Sequence, residues 1–239
     1  MRRFYDRQNF HADTVVGLSD EASHHIARVL RMQPGDHLVL FSGEGGEWRA
    51  QIESVGKRDV QVRPLEYRAD DRAANIPVIL GLPLIKGDRM DYALQKATEL
   101  GADQFHLLTT ERTEVRLDGG RQDKRLSHWQ QVVISACEQC GLNRVPLVHA
   151  PVPMLDFVAA TDTNLKLLAH PGEQRLDPAA LCQASSITLL TGPEGGFSPR
   201  EREAATAAGF QPFALGQRIL RAETAPVALL AAIWMARGE

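Results

Sequence analysis

Three cysteines in 239 residues are too few for a disulfide framework, so the chain is expected to keep reduced thiols. No apolar run approaches the roughly 20 residues of a membrane span. There are no internal repeats and no low-complexity tract. Met1-Arg2-Arg3-Phe4-Tyr5-Asp6 carries charge without an apolar h-region, which argues against a signal peptide. A formal net charge of -3 excludes a uniformly basic coat, although a local basic patch remains compatible with it. Two nucleotide-binding fingerprints are also missing. The absence of G-x-x-x-x-G-K-[ST] argues against a P-loop. The absence of G-x-G-x-x-G after the first α/β strand disfavours NAD and the common glycine-rich methyltransferase site. These absences leave a soluble cytoplasmic protein with no membrane partner.

What is present divides in two. The first seventy residues alternate toward strands at 36–41, 47–52 and 59–65, the last ended by Pro64. Ser42-Gly43-Glu44-Gly45-Gly46 supplies a turn between the first two. A helix near 20–32, capped by Ser19 or Asp20, carries Ile26, Val29 and Leu30 as its apolar stripe. Short strands with glycine turns point to a small barrel or sandwich. After a polar linker at 69–75, strands (78–82, 105–108, 165–169, 187–190, 213–215) alternate with helices (88–100, 123–140, 199–208, 224–236). That alternation is the signature of an α/β domain, a parallel sheet with helices on both faces. The expected domains are 1–72 and 73–239. The last helix is apolar on most faces, which places it in the core or in a subunit interface.

Two glycine-bearing loops stand between strands and helices near the C-terminus: Thr191-Gly192-Pro193-Glu194-Gly195-Gly196 and Leu215-Gly216-Gln217-Arg218-Ile219-Leu220-Arg221. Strand carboxyl ends in an open α/β sheet are where small cofactors bind. Glycines there let backbone approach a ligand, and Ser198-Pro199-Arg200-Glu201 is a strong helix start. Leu215, Ile219 and Leu220 are apolar in a segment that should be surface, which suits a flat ring such as adenine. A tight strand–helix connection with no ligand is the plainer reading of either loop alone. Cys137-Glu138-Gln139-Cys140 ends a helix, where the dipole opposes a thiolate, so these are expected to be structural thiols. No set of residues has metal-ligand spacing, and His24-His25 is read as packing and surface rather than a metal site.

The two loops, with Leu215-Gly216-x-x-Ile219-Leu220-Arg221-x-Glu223-Thr224-Ala225 as the second motif, resemble the RsmE family, bacterial 16S ribosomal RNA uridine-N3 methyltransferases of the SPOUT superfamily. The likeness extends to His25-Ile26-x-x-Val29-Leu30-Arg31, Gln95-Lys96-x-x-Glu99-Leu100-Gly101, Glu111-Arg112 and Ala136-Cys137-Glu138-Gln139-Cys140-Gly141-x-Asn143-Arg144-Val145-Pro146, and so covers the whole chain. Gln217 stands where the family usually has proline. The resemblance implies a PUA-like RNA-binding β-barrel followed by a SPOUT-type trefoil-knotted parallel-sheet domain. It also implies S-adenosylmethionine as methyl donor, a homodimer, and 16S ribosomal RNA of the small subunit as partner.

On that resemblance the cofactor-binding candidates are Leu168, His170, Thr191, Gly192, Pro193, Gly195, Gly196, Leu215, Gly216, Ile219, Leu220 and Thr224. Arg221 and then Arg112 are candidates to stabilise charge developing on uracil. Glu194 is a candidate proton acceptor, with fixing of its own loop as the plainer role. Asn143 and Arg144 are left between bracing the cofactor loops and bracing a dimer. Most of the 27 Lys and Arg lie before residue 147, among interleaved acids. From these, Arg2, Arg3, Arg28, Arg31, Arg116, Lys124 and Arg125 form the candidate RNA surface, against a plainer mixed-charge surface. Two other functions stay open: a non-catalytic ribosome-assembly factor, and an enzyme using another adenine nucleotide.

Overall fold

The computed structural model describes every residue except 57, 58, 116, 118, 173, 174, 176 and 239, and of Gly119 only its backbone. The chain forms two compact units: Met1–Ala73 with Ile134–Val145, and Ala74–Val133 with Pro146–Glu239. Among the described residues no helix is long and apolar enough to cross a membrane.

The first unit is a five-stranded sheet. Its strands are β1 (Arg2–Tyr5), β2 (Val16–Gly17), β3 (His37–Phe41), β4 (Glu47–Val55) and β5 (Val60–Arg68), in the order β1-β3-β4-β5-β2. β1 runs parallel to β3 and the remaining pairs are antiparallel. Alternation turns Leu38, Leu40, Ala50, Ile52, Val60 and Val62 into one core with Phe4, Phe10 and Ile26. The third strand does not end at Pro64, as expected, but runs through it to Arg68. Pro64 sits opposite Ala50 at a register shift, where a missing N–H breaks no ladder.

The expected helix at 20–32 is also modified. α1 (Asp20–His24) is capped by the Ser19 side chain, then passes into a π-helical turn, His25–Val29. The wider turn keeps Ile26 buried and rotates Val29 outward to 60 % exposure, so Val29 leaves the expected stripe.

The second unit is a six-stranded, wholly parallel sheet. β6 (Val78–Pro83), β7 (Gln104–Thr109), β8 (Leu147–Pro153), β9 (Leu165–Ala169), β10 (Ile187–Leu190) and β11 (Gln211–Phe213) lie in the order β11-β9-β10-β6-β7-β8. The central strands are continuous apolar runs because both faces are covered. Gly81 in β6 is required by close packing, since a Cβ there would lie 2.4 Å from the buried Leu190 side chain.

The helices are α2 (Asp88–Glu99), α3 (Gly119–Cys140), α4 (Met154–Ala160), α5 (Pro178–Gln183), α6 (Pro199–Ala207) and α7 (Thr224–Arg237). α4 and α6 share a core with Leu108, Leu168, Leu190 and Phe210. α7 buries Leu229, Leu230, Ile233 and Trp234 while packing on α2 and α5. Trp234 donates its indole N–H to the Leu100 carbonyl at 2.5 Å. β8, α4 and α5 were not anticipated, being short or broken by proline. β11 lies two residues earlier than the expected 213–215, which releases Leu215 into the loop.

Candidate functional site

Because every ladder of the sheet is parallel, the loops after β6, β7, β9, β10 and β11 open on one edge. Arg89, Arg112 and the segment 169–171, with both glycine loops, line a cavity of about 510 Å³. That lies within the roughly 300–1,000 Å³ typical of small-molecule sites. Its wall includes His170, Gly192, Pro193, Glu194, Gly195, Gly196, Leu215, Gly216, Ile219, Leu220 and Arg221, together with Arg89 and Arg112.

The first loop leaves β10 with the Thr191 N–H bonded to the Gly81 carbonyl at 3.2 Å. It turns through a Gly196 N–H to Pro193 carbonyl bond of 2.8 Å, with Gly196 at φ +67. A Cβ on Gly196 would meet nothing, so glycine is required there by conformation rather than by space. Helix α6 then starts with the expected capping box: Ser198 Oγ accepts from the Glu201 N–H, and the Glu201 carboxylate accepts from the Ser198 N–H.

The second loop leaves β11 and passes Gly216 at φ +75. Ile219 is 81 % exposed, an apolar side chain on the cavity wall with little covering it. The Arg221 carbonyl accepts from both the Thr224 and Ala225 N–H groups at 3.0 Å and so launches α7. A third loop, after β9, contributes Ala169, His170 and Pro171. It is tied to β11 by the His170 N–H on the Phe213 carbonyl at 2.8 Å.

Three expected cofactor residues are placed elsewhere. Leu168 is fully buried in the α4–α6 core, because inward alternation at the end of β9 turns it away from the cavity. Thr191 is fully buried behind Gly192, with its hydroxyl making no hydrogen bond. Thr224 is exposed on the first turn of α7, off the cavity wall. Glu194 forms an ion pair with Arg89 at 2.8 Å.

Arg89 was not anticipated. From the first turn of α2 it reaches Glu194 in the first glycine loop and, at 3.9 Å, Glu223 in the second. One guanidinium therefore ties the two loops. The available signal was a cation in a helix first turn, where the macrodipole disfavours it unless anions lie close. Arg112 donates Nη1–H to the Gly195 carbonyl at 2.7 Å. Among the described residues, the wall thus carries four guanidiniums, those of Arg89, Arg112, Arg218 and Arg221, against the single carboxylate of Glu194.

In the first unit Arg2, Arg28 and Arg31 are exposed, and in the second so are Lys124 and Arg125. Arg116 lies outside the described residues. Arg3 is turned inward: it pairs with Glu47, bonds Asn143 and lies 5.0 Å from the centre of the Phe41 ring, so it is not open surface. Asn143 is fully buried and also donates to the Asp70 carbonyl at 2.5 Å. It braces the first unit, a role outside both alternatives read from sequence, and Arg144 does the same through Asp71. Burial pushes the Cys137 thiol up, away from thiolate chemistry. Among the described residues no group of three or more His, Cys, Asp or Glu is placed to hold a metal ion.

Comparison with known proteins matches residues 72–234 to an RNA methyltransferase domain and residues 18–65 to an RNA methyltransferase PUA domain. The chain is 37 % identical to ribosomal RNA small subunit methyltransferase E of Synechocystis, over 92 % of this chain and 73 % of that protein. It is 31 % identical to the Bacillus subtilis protein of the same name, over 98 % and 96 %. Among solved structures, a methyltransferase of Legionella pneumophila in complex with S-adenosylmethionine superposes with a TM-score of 0.94 at 36 % identity, covering 98 % of this chain and 97 % of that one. Ribosomal RNA small subunit methyltransferase E from Neisseria gonorrhoeae, bound to S-adenosyl methionine, gives 0.92 at 35 % identity with the same coverage. With its PUA-like mixed sheet and its SPOUT-like parallel sheet, the chain belongs to the ribosomal RNA small subunit methyltransferase E (RsmE) family.

Proposed function

We propose that the chain methylates N3 of a uridine in 16S ribosomal RNA of the small subunit, using S-adenosylmethionine bound in the cavity between its two glycine loops. The observation that carries this reading is the cavity itself. Backbone of Gly192, Gly195, Gly196 and Gly216 lines it, with an apolar edge at Leu215, Ile219 and Leu220 that fits an adenine ring. The bound donor supplies a methyl group on a sulfonium.

The chain's part is to align the uracil nitrogen with that methyl, and such positioning supplies much of the rate. The N3 proton leaves to water, and charge then develops on the uracil oxygens. Arg221, which is exposed on the wall, and Arg112, with N–H groups beyond the one on Gly195, are the groups we assign to stabilise it. Glu194, held by Arg89, keeps the loop in place.

The exposed Arg2, Arg28, Arg31, Lys124 and Arg125 are assigned to RNA phosphates, and residues 1–72 to RNA binding. A cytoplasmic location follows from a ribosomal substrate. We further infer a homodimer using the outer face of α7, where Met235 is 80 % exposed, and a C-terminal segment threaded as a trefoil knot.

The test is methyl transfer to small subunits and to free 16S RNA taken from a strain lacking the enzyme. N3-methyluracil cannot pair, so reverse transcriptase should stop at one position only after treatment. A chain that binds RNA but neither binds S-adenosylmethionine by calorimetry nor produces a stop would be an assembly factor instead.

A further inference from the structure

Glu201 is 2 % exposed, the most buried carboxylate among the described residues. A capping box uses one carboxylate oxygen, on the N-cap N–H. Here Oε2 does that, accepting from Ser198 at 2.8 Å. The other oxygen, Oε1, accepts the backbone N–H of Glu111 at 2.8 Å, from the loop after β7. Both oxygens of a buried carboxylate are therefore satisfied, one by its own helix and one by a segment ninety residues away.

The residue next to Glu111 is Arg112. Its guanidinium donates to the Gly195 carbonyl, and its stem packs on Gly195 so closely that a Cβ there would lie 3.2 Å from Arg112 Cβ. Arg112 thus sits in a tight turn, closed by the Thr113 N–H on the Thr110 carbonyl at 3.2 Å. That turn is pinned at two successive residues, Glu111 to helix α6 and Arg112 to the first glycine loop.

We propose that Glu201 is a positioning residue: through its bond to the Glu111 N–H it sets where the Arg112 guanidinium stands at the cavity. The proposal rests on the methyl-transfer reading above, in which Arg112 faces the uracil. The capping bond starts the helix, whereas the Glu111 bond places a cation that meets substrate.

The test removes the bond from either side. Glu201→Gln leaves one oxygen for two N–H groups. Glu111→Pro deletes the donor and spares the capping box. Glu111 occupies the second position of the Thr110–Thr113 turn, where proline is favoured, so this variant should fold even if the first does not. Ser198→Ala, which weakens the helix cap alone, is the control.

We expect Glu111→Pro and Glu201→Gln to lower kcat by roughly 10- to 100-fold, as a displaced catalytic group does. The Kd for S-adenosylmethionine should stay within about twofold, and neither change should add to Arg112→Ala in a double-mutant cycle. Unchanged kcat in Glu111→Pro, a parallel loss of donor affinity, full additivity with Arg112→Ala, or an equal kcat loss in Ser198→Ala would each overturn the proposal. A wild-type chain that binds the donor but transfers no methyl would sink the methyltransferase reading itself, and this proposal with it.

Discussion

At the scale of single residues, the cavity separates guanidiniums that hold the protein from guanidiniums left for a substrate. Arg89 is the former: it pairs with Glu194 at 2.8 Å and lies 3.9 Å from Glu223, whose side chain is only 11 % exposed. The half-exposed pair with Glu194 contributes little to stability, about 0–1 kcal/mol, but removing Arg89 also leaves the largely buried Glu223 carboxylate without its counter-charge. Arg89→Ala should therefore lower the melting temperature and free two loops, and calorimetry should show S-adenosylmethionine binding weakened several-fold. An unchanged Kd would remove Arg89 from the account of the site. Arg221 is the residue proposed for the second group. Arg221→Ala should reduce turnover by about 10²- to 10³-fold, the range seen on removing an oriented donor, with donor affinity little altered. Equal losses in both would reassign it to binding.

At the scale of elements, the glycine loops work because particular positions need particular backbone. Gly196 at φ +67 has open space where a side chain would go, so Gly196→Ala meets only the conformational penalty of about 1–2 kcal/mol. Urea denaturation should show that loss, accompanied by weaker donor binding. Gly81→Ala acts by a different mechanism: its Cβ would press on Leu190, Phe157 and Leu108 in the core. Overpacking of this kind costs about 1–3 kcal/mol, and the strand carries no wall residue, so stability should fall with donor affinity kept in the surviving folded fraction. The strand and helix periods were legible in sequence, as was the α6 cap at Ser198. The π turn at His25–Val29 was not, because Ile26, Val29 and Leu30 fit an α-helical stripe equally well until packing against the sheet turns Val29 out.

At the scale of the whole molecule, solution conditions should act through two features. His106 stacks on His149 with ring centroids 4.1 Å apart, and burial, followed by the His149 charge, holds the His106 imidazole down to about 4. In the unfolded chain it would titrate near its ordinary value of about 6.5. Between those values the unfolded state binds more protons, so stability is lost as pH falls from about 6.5 toward 4. Thermal melts across that range should show the decline, and His106→Gln should flatten it; a parallel decline in the variant would assign the effect elsewhere. For RNA, affinity should fall with salt at a log-log slope of about -0.7 to -0.9 per phosphate contact. Arg28→Ala with Arg31→Ala should make the slope shallower by roughly two contacts, and an unaltered slope would exclude these two from the interface.

Local chemistry was enough to determine the glycine loops, the helix cap, the parallel-sheet class and the family, because each is carried by residues close together in sequence. Other features depended on groups distant in sequence becoming neighbours. Arg89 reaches across to Glu194 and Glu223, Glu201 holds Glu111, and Arg3 is drawn inward by Glu47 and Asn143. Nothing in the spacing along the chain marks those partners. They meet because parallel pairing brings the carboxyl ends of separate strands to one edge, and because a charge leaving water must find a counter-charge or a hydrogen bond wherever the fold provides one.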